Sequence, residues 1–177
     1  MESSGLGSAV DWTSPYAWTR DALEAAGFEG WVSFEELAEE RKEPLPVGGV
    51  YVVIRAAGTA PGFLPSNPAG RFKGRDPSVS DPALTANWVD GAEVVYIGKA
   101  DDLRRRLRQY RRFGEGEPVG HWGGRLIWQL EDSAKLVVAW AETPGRVPGV
   151  VEAELLAAFR EVWGRPPFAN DPHRSGR

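Results

Sequence analysis

Between Val94 and Arg112 the chain reads VVYIGKADDLRRRLRQYRR, and few structures accommodate that order of residues. The apolar run Val94 to Ile97 meets Gly98, after which charged and apolar residues recur with helical spacing, so the stretch predicts a strand, a tight turn and a helix. At about 100° per residue, Leu103, Leu107 and Tyr110 share one face of that helix, with Arg106 at its margin one turn before Tyr110. Arg104, Arg108, Arg111 and Arg112 spread over the opposite side. With Lys99, Arg105 and Arg106 they stand against only Asp101 and Asp102, a local charge of about +5 in a chain that is formally −4. Positive charge is therefore concentrated here, and such a face suits phosphates. Read alone, it fits a merely solvated helix surface equally well.

Upstream, Gly49-Val50-Tyr51 opens a second apolar run, GVYVVIR, whose alternation puts Val50, Val52 and Ile54 on one face and Tyr51, Val53 and Arg55 on the other. Together with Tyr96-Ile97-Gly98, this resembles the paired tripeptide signature of the GIY-YIG nuclease family. In that family an arginine follows on the next helix, at the position of Arg106, and a His or Tyr comes one turn later, at the position of Tyr110. The wording YIGKADDLRRRLRQY is similar to the version in the bacterial nucleotide-excision-repair incision subunit, where a lysine also follows the glycine.

A late helix from about Val151 to Trp163 carries the one carboxylate that periodicity singles out. Leu155, Leu156, Phe159 and Trp163 fall within about 60° of Glu152 around the helix axis, whereas Glu154 and Glu161 point away. A carboxylate on an apolar face is costly unless a cation or hydrogen bonds compensate it, so Glu152 is expected at a site. A first-turn Glu also complements the helix dipole near a surface. The family's metal-binding glutamate likewise opens a late helix and precedes apolar residues, and Pro167-Phe168-Ala169-Asn170 resembles the family's Pro-aromatic-Asn ending.

The resemblance spans residues 47–171 and implies an α+β domain: a small, mostly antiparallel sheet flanked by helices, here with an extra strand. It implies DNA, double-stranded, as partner; a two-fold homodimer would suit cutting both strands, but no interface is legible in the sequence. It further implies one divalent cation, Mg²⁺ or Mn²⁺, on Glu152, which would polarise the scissile phosphate. Arg106 would neutralise phosphoryl charge, and Tyr51 would orient or deprotonate the attacking water with Tyr96 and Lys99 assisting. Tyr110 would support the phosphate or water, and Asn170 would brace the site.

The rest of the chain is read in order. The start looks loose, and Ser14-Pro15 predicts a helix to about Ala26. Ser33 and Glu36 form a capping-box pattern for a second helix ending before Pro44, completing a helical extension over residues 1–46. The segment 56–91 separates the two tripeptides by far more than the family does; its Arg71, Lys73 and Arg75 are candidates for phosphate contacts, with a surface insertion as the alternative. His121 lies in an expected loop at 113–124, without partner spacing to support acid or base chemistry. RLIWQL (125–130) and KLVVAWA (135–141) predict two further strands. Residues 172–177, with His173, read as a loose tail.

Composition narrows the classes. At 177 residues and 42% hydrophobic, the chain supports one core with a small extension. The absence of Cys excludes disulfides and thiolate metal sites and is compatible with a reducing cytoplasm. There is neither a secretion signal nor a membrane-length apolar run, so a soluble chain is expected. The leading expectation is a metal-dependent endonuclease acting on DNA. A catalytically silent nucleic-acid-binding module on the same fold is the alternative, and a small-molecule- or protein-binding domain with eight tryptophans is a third.

Overall fold

The computed structural model describes Leu6 and residues 10–170. Most of the expected loose start (1–5 and 7–9) and the expected tail with His173 lie outside the described residues. The fold is α+β. Strands β1 (Glu29–Ser33), β2 (Gly49–Ile54), β3 (Val94–Ala100) and β4 (Val137–Glu142) form one antiparallel sheet in the order β1-β4-β2-β3.

Strand β2 is buried along its whole length, as its unbroken apolar sequence requires of a strand covered on both faces. On one face, Tyr51, Val53, Tyr96, Val138 and Trp140 pack against α3 (Leu103–Gly114) through Leu103, Leu107, Tyr110 and Phe113. On the other, Val50, Val52, Ile54 and Ile97 pack against α4 (Pro148–Trp163) through Val151, Leu155 and Phe159. The same face holds Trp18, Phe28 and Leu23 of α1 (Arg20–Ala25).

Several expected elements take other forms. Gly98 does not end its strand, which continues through Lys99 to Ala100 before Asp102 caps α3. The first helix divides into a 3₁₀ turn, Pro15–Trp18, and α1, because extended Thr19 intervenes and caps α1 with its hydroxyl. The Ser33–Glu36 capping box forms, with each side chain accepting the other's backbone N–H, yet only the 3₁₀ turns Glu36–Ala38 and Glu40–Lys42 follow. Leu37 is the one buried side chain in those turns, and a helix with no apolar stripe to pack does not outlast its cap. Residues just before it supply β1 instead, paired with β4.

The extra strand thus comes from the N-terminal segment and not from residues 125–130, which lie within a 3₁₀ helix, Trp122–Gln129, and its cap. Helical turns place Leu126, Ile127, Trp128 and Leu130 in one core cluster, and the stretch keeps only a single bridge, Leu130 to Phe63. The long insertion is ordered because buried polar groups hold it. Gln129 accepts from Val79 N–H and donates to the carbonyls of Leu64 and Val79, Asn67 donates to Arg125 O, and buried Arg55, itself paired with Asp132, donates to Thr59 O at 2.9 Å. It contains α2 (Asp81–Asn87). No described helix is long and apolar enough to cross a membrane.

Candidate active site

Strand β3 is an edge of the sheet, and the site forms around that edge. Opposite Tyr51 in the β2–β3 register stands Gly98, so nothing projects there and the tyrosine ring lies over the glycine. A Cβ at Gly98 would come within 2.4 Å of Tyr51 Cζ. Val53 opposes Tyr96, which places both tyrosines on the α3 face, their rings 6.0 Å apart. The buried stripe of α3 sets Arg106 at its half-exposed margin, where Nη1 donates to the Gly120 carbonyl at 2.8 Å.

Helix α4 lies on the other face, along β3. Its first turn is so close to that strand that a Cβ at Gly149 would stand 2.9 Å from Lys99 Nζ. One turn later Glu152 reaches the edge. There Glu152, Lys99, Tyr51, Tyr96 and Arg106 line one open cavity of about 490 Å³, joined by Asp101, Asp102, Arg105 and Gln109. Five of the seven residues expected at the reacting centre therefore meet, although they come from four elements on two sides of a sheet.

The charges in the cavity are poised unequally. Partial burial raises the Glu152 carboxyl above its ordinary range, while the fields of Lys99 and Arg106 oppose that rise. No hydrogen bond from the described residues reaches this carboxylate, whereas exposed Glu154 is tied to Arg146. Tyr51 is fully buried, and desolvation first, then Tyr96, push its phenol well above the usual tyrosine value, with Arg106 pulling the other way. It stands as a neutral phenol. Expectation of a simple tyrosinate base is revised accordingly.

The phenol has a partner that spacing did not reveal. His121 is fully buried, with Nε2 2.7 Å from Tyr51 Oη. Its ring lies flat on Tyr110, with centroids 3.5 Å apart and planes within 3°. Tyr110 itself is not at the cavity: it is buried, donates to Gly124 O at 2.8 Å, and is held protonated by burial and by its neighbours Tyr96 and Tyr51. Its expected direct contact with phosphate or water is corrected to a stacking support for His121. A contact between residues separated by 70 positions carries no periodic signature in the sequence.

Asn170 also acts at a distance from the cavity. Its amide accepts from Ile97 N–H at 2.9 Å and donates to Ile97 O at 2.8 Å, closing the open edge of β3, and Ala169 N–H adds a bond to Val95 O.

The arginines of α3 prove mostly engaged with the protein. Arg104 donates to Pro44 O, and Arg108, Arg111 and Arg112 pair with Glu43, Glu115 and Glu117. In the insertion, Arg71 pairs with Asp76, while Lys73 and Arg75 have no carboxylate partner among the described residues. The broad cationic helix face is thus largely neutralised locally; of the α3 arginines, Arg105 and Arg106 are the ones that face the cavity.

For a cation, the described residues offer no group of three or more His, Cys, Asp or Glu side chains. Glu152, half-buried and without a hydrogen-bonding partner among the described residues, fits a hard ion that keeps most of its waters and needs one protein carboxylate.

What fold and site define is an α+β protein with a cavity of opposed charges at the edge of an antiparallel sheet. Comparison with known proteins finds no matching protein-family model, curated protein or solved structure.

Proposed function

We propose that the chain is a GIY-YIG-type endonuclease that hydrolyses phosphodiester bonds of DNA, using Mg²⁺ or Mn²⁺ held by Glu152. The observation that carries this reading is the convergence of Tyr51, Tyr96, Lys99, Arg106 and Glu152 on one open cavity. An arginine, a lysine and the half-buried carboxylate of Glu152 with an aromatic hydroxyl suit the charge that develops on a phosphoryl group attacked by water. When bound, the divalent cation supplies Lewis-acid polarisation of the phosphate and stabilises the leaving oxygen.

The chain's own residues do the rest. Arg106, its fork held by Gly120 O, presents its remaining N–H groups to the phosphoryl oxygens. Lys99 adds a second positive charge across the cavity. A water oxygen bonds to phosphorus as the bond to the leaving sugar oxygen breaks. The water's proton goes to Tyr51 Oη while the Tyr51 proton passes to His121 Nε2, which accepts it when the imidazole carries its other proton on Nδ1. This exchange needs no free tyrosinate and so agrees with the raised Tyr51 pKa.

Incubation of supercoiled, linear and branched DNA with the purified chain and either metal tests the proposal. Wild type is expected to nick or cut, and Glu152→Gln and Arg106→Ala are expected to leave DNA intact. A well-folded wild type that cleaves no nucleic acid with any divalent metal overturns the enzyme; salt-dependent binding without cleavage, unchanged in Glu152→Gln, identifies a silent binding module instead.

A further inference from the structure

We propose that the nucleic-acid strand entering the cavity continues over the tip of the insertion, across Lys73 and Arg75, and not along the arginine face of α3. This rests on the nuclease reading of the cavity and assigns the path of its substrate. The argument starts from which cations are available. Along α3, Arg108, Arg111 and Arg112 each face a glutamate and Arg104 donates to Pro44 O, so beyond Arg105 at the cavity that surface offers a polyanion few cations without a partner among the described residues.

At the insertion tip the balance is reversed. Lys73 is exposed and lies beside the Phe72 ring, and Arg75 stacks on Trp122 at 4.5 Å from the ring centroid. A guanidinium held over an indole face by cation–π attraction still has N–H groups to offer a phosphate.

The tip is also next to the cavity. A Cβ at Gly120 would stand 3.4 Å from Phe72, and the Gly120 carbonyl is the acceptor that holds Arg106. Trp122 follows two residues later. One short loop, Gly120 to Trp122, therefore touches both the cavity arginine and the cationic tip, so the strand leaving Arg106 would meet Arg75 and Lys73 next. Successive phosphates of a strand match such a succession of cations, because each contact releases condensed counterions.

Lys73 provides a variant that separates binding from folding. Its backbone has φ 54° and ψ 36°, the left-handed region that glycine adopts without steric penalty, so Lys73→Gly removes the cation without weakening the fold. The experiment measures anisotropy of a short labelled DNA duplex in a Glu152→Gln background, across a range of salt concentrations, alongside thermal unfolding.

Lys73→Gly with Arg75→Ala is expected to weaken binding by about tenfold and to lower the salt slope by about two, and Lys73→Gly alone to weaken it in part at an undiminished Tm. Arg111→Gln with Arg112→Gln is expected to change affinity by less than about twofold, since those charges are already neutralised locally. The reverse pattern overturns the proposed path while leaving the nuclease reading intact. Absence of DNA binding by the parent at low salt overturns both.

Discussion

The hydroxyl of Tyr51 and Nε2 of His121 stand 2.7 Å apart in the protein interior, and Tyr110 stacked on the imidazole holds the pair in register. If His121 is the final acceptor of the water's proton, His121→Gln should preserve a hydrogen-bond acceptor and abolish basicity. Single-turnover cleavage is expected to fall by about a hundredfold with DNA affinity within about twofold of wild type, because proton transfer and not binding is lost. An unchanged rate would remove His121 from the chemistry and leave it a packing residue.

The Glu152 carboxyl is raised by burial, and its sign has consequences for both activity and stability. In the unfolded chain it ionises near 4.5, earlier on the pH scale than in the folded protein. Between those two values the folded state holds more protons, so its stability declines as pH rises through the window. Glu152→Gln removes that decline. Its Tm is expected to match wild type at pH below the unfolded value and to exceed it near neutrality, while cleavage is lost at every pH. Wild-type cleavage should appear only as the carboxylate ionises, with its acidic limb displaced above the ordinary glutamate range.

Both tripeptide glycines are required by space. A Cβ on Gly98 would meet the Tyr51 ring, and one on Gly49 would stand 2.4 Å from Ala141 O across the ladder. Gly98→Ala must displace a fully buried ring that also bonds His121, so it is expected to destabilise by about 1–3 kcal/mol, the usual effect of overpacking. Cleavage should fall further than Tyr51→Phe alone explains if the whole dyad moves. Chemical denaturation and single-turnover rates measure the two effects separately.

These glycines show why part of the site was legible from sequence. Gly98 and Arg106 are placed by local rules, strand register and helix periodicity, and Glu152 by its position on an apolar helix face. His121 depends on a stack that no local pattern encodes, and the neutralisation of Arg108 depends on Glu43, 65 residues earlier in the chain. The same distinction governs the fold. Strands β2, β3 and β4 follow from apolar runs, whereas β1 was obscured by a genuine capping box, and 125–130 has strand composition but no strand beside it to pair with.

Tyr110 and Tyr51 have the same functional group and should respond differently to its removal. Tyr110→Phe keeps the ring that stacks on His121 and loses one buried hydrogen bond to Gly124 O, a loss of about 1 kcal/mol with cleavage little changed. Tyr51→Phe breaks the proton route from water to imidazole, and cleavage should drop by two orders of magnitude or more, on the order of general-base loss. Equal sensitivity of the two would place Tyr110 back in the chemistry.

Asn170 tests whether the sheet edge must be closed for the site to persist. Its amide satisfies both backbone groups of Ile97, on the strand that carries Tyr96 and Lys99. Asn170→Ala removes two hydrogen bonds and is expected to destabilise by about 2 kcal/mol, lowering Tm by roughly 4–8 °C. Asn170→Asp keeps the acceptor for Ile97 N–H but turns a carboxylate oxygen toward Ile97 O, so repulsion replaces the second bond and the loss is no smaller. A bracing role requires cleavage to decline with stability and to recover in part at lower temperature. A variant that stays fully folded yet loses cleavage at every temperature would instead make Asn170 a direct participant.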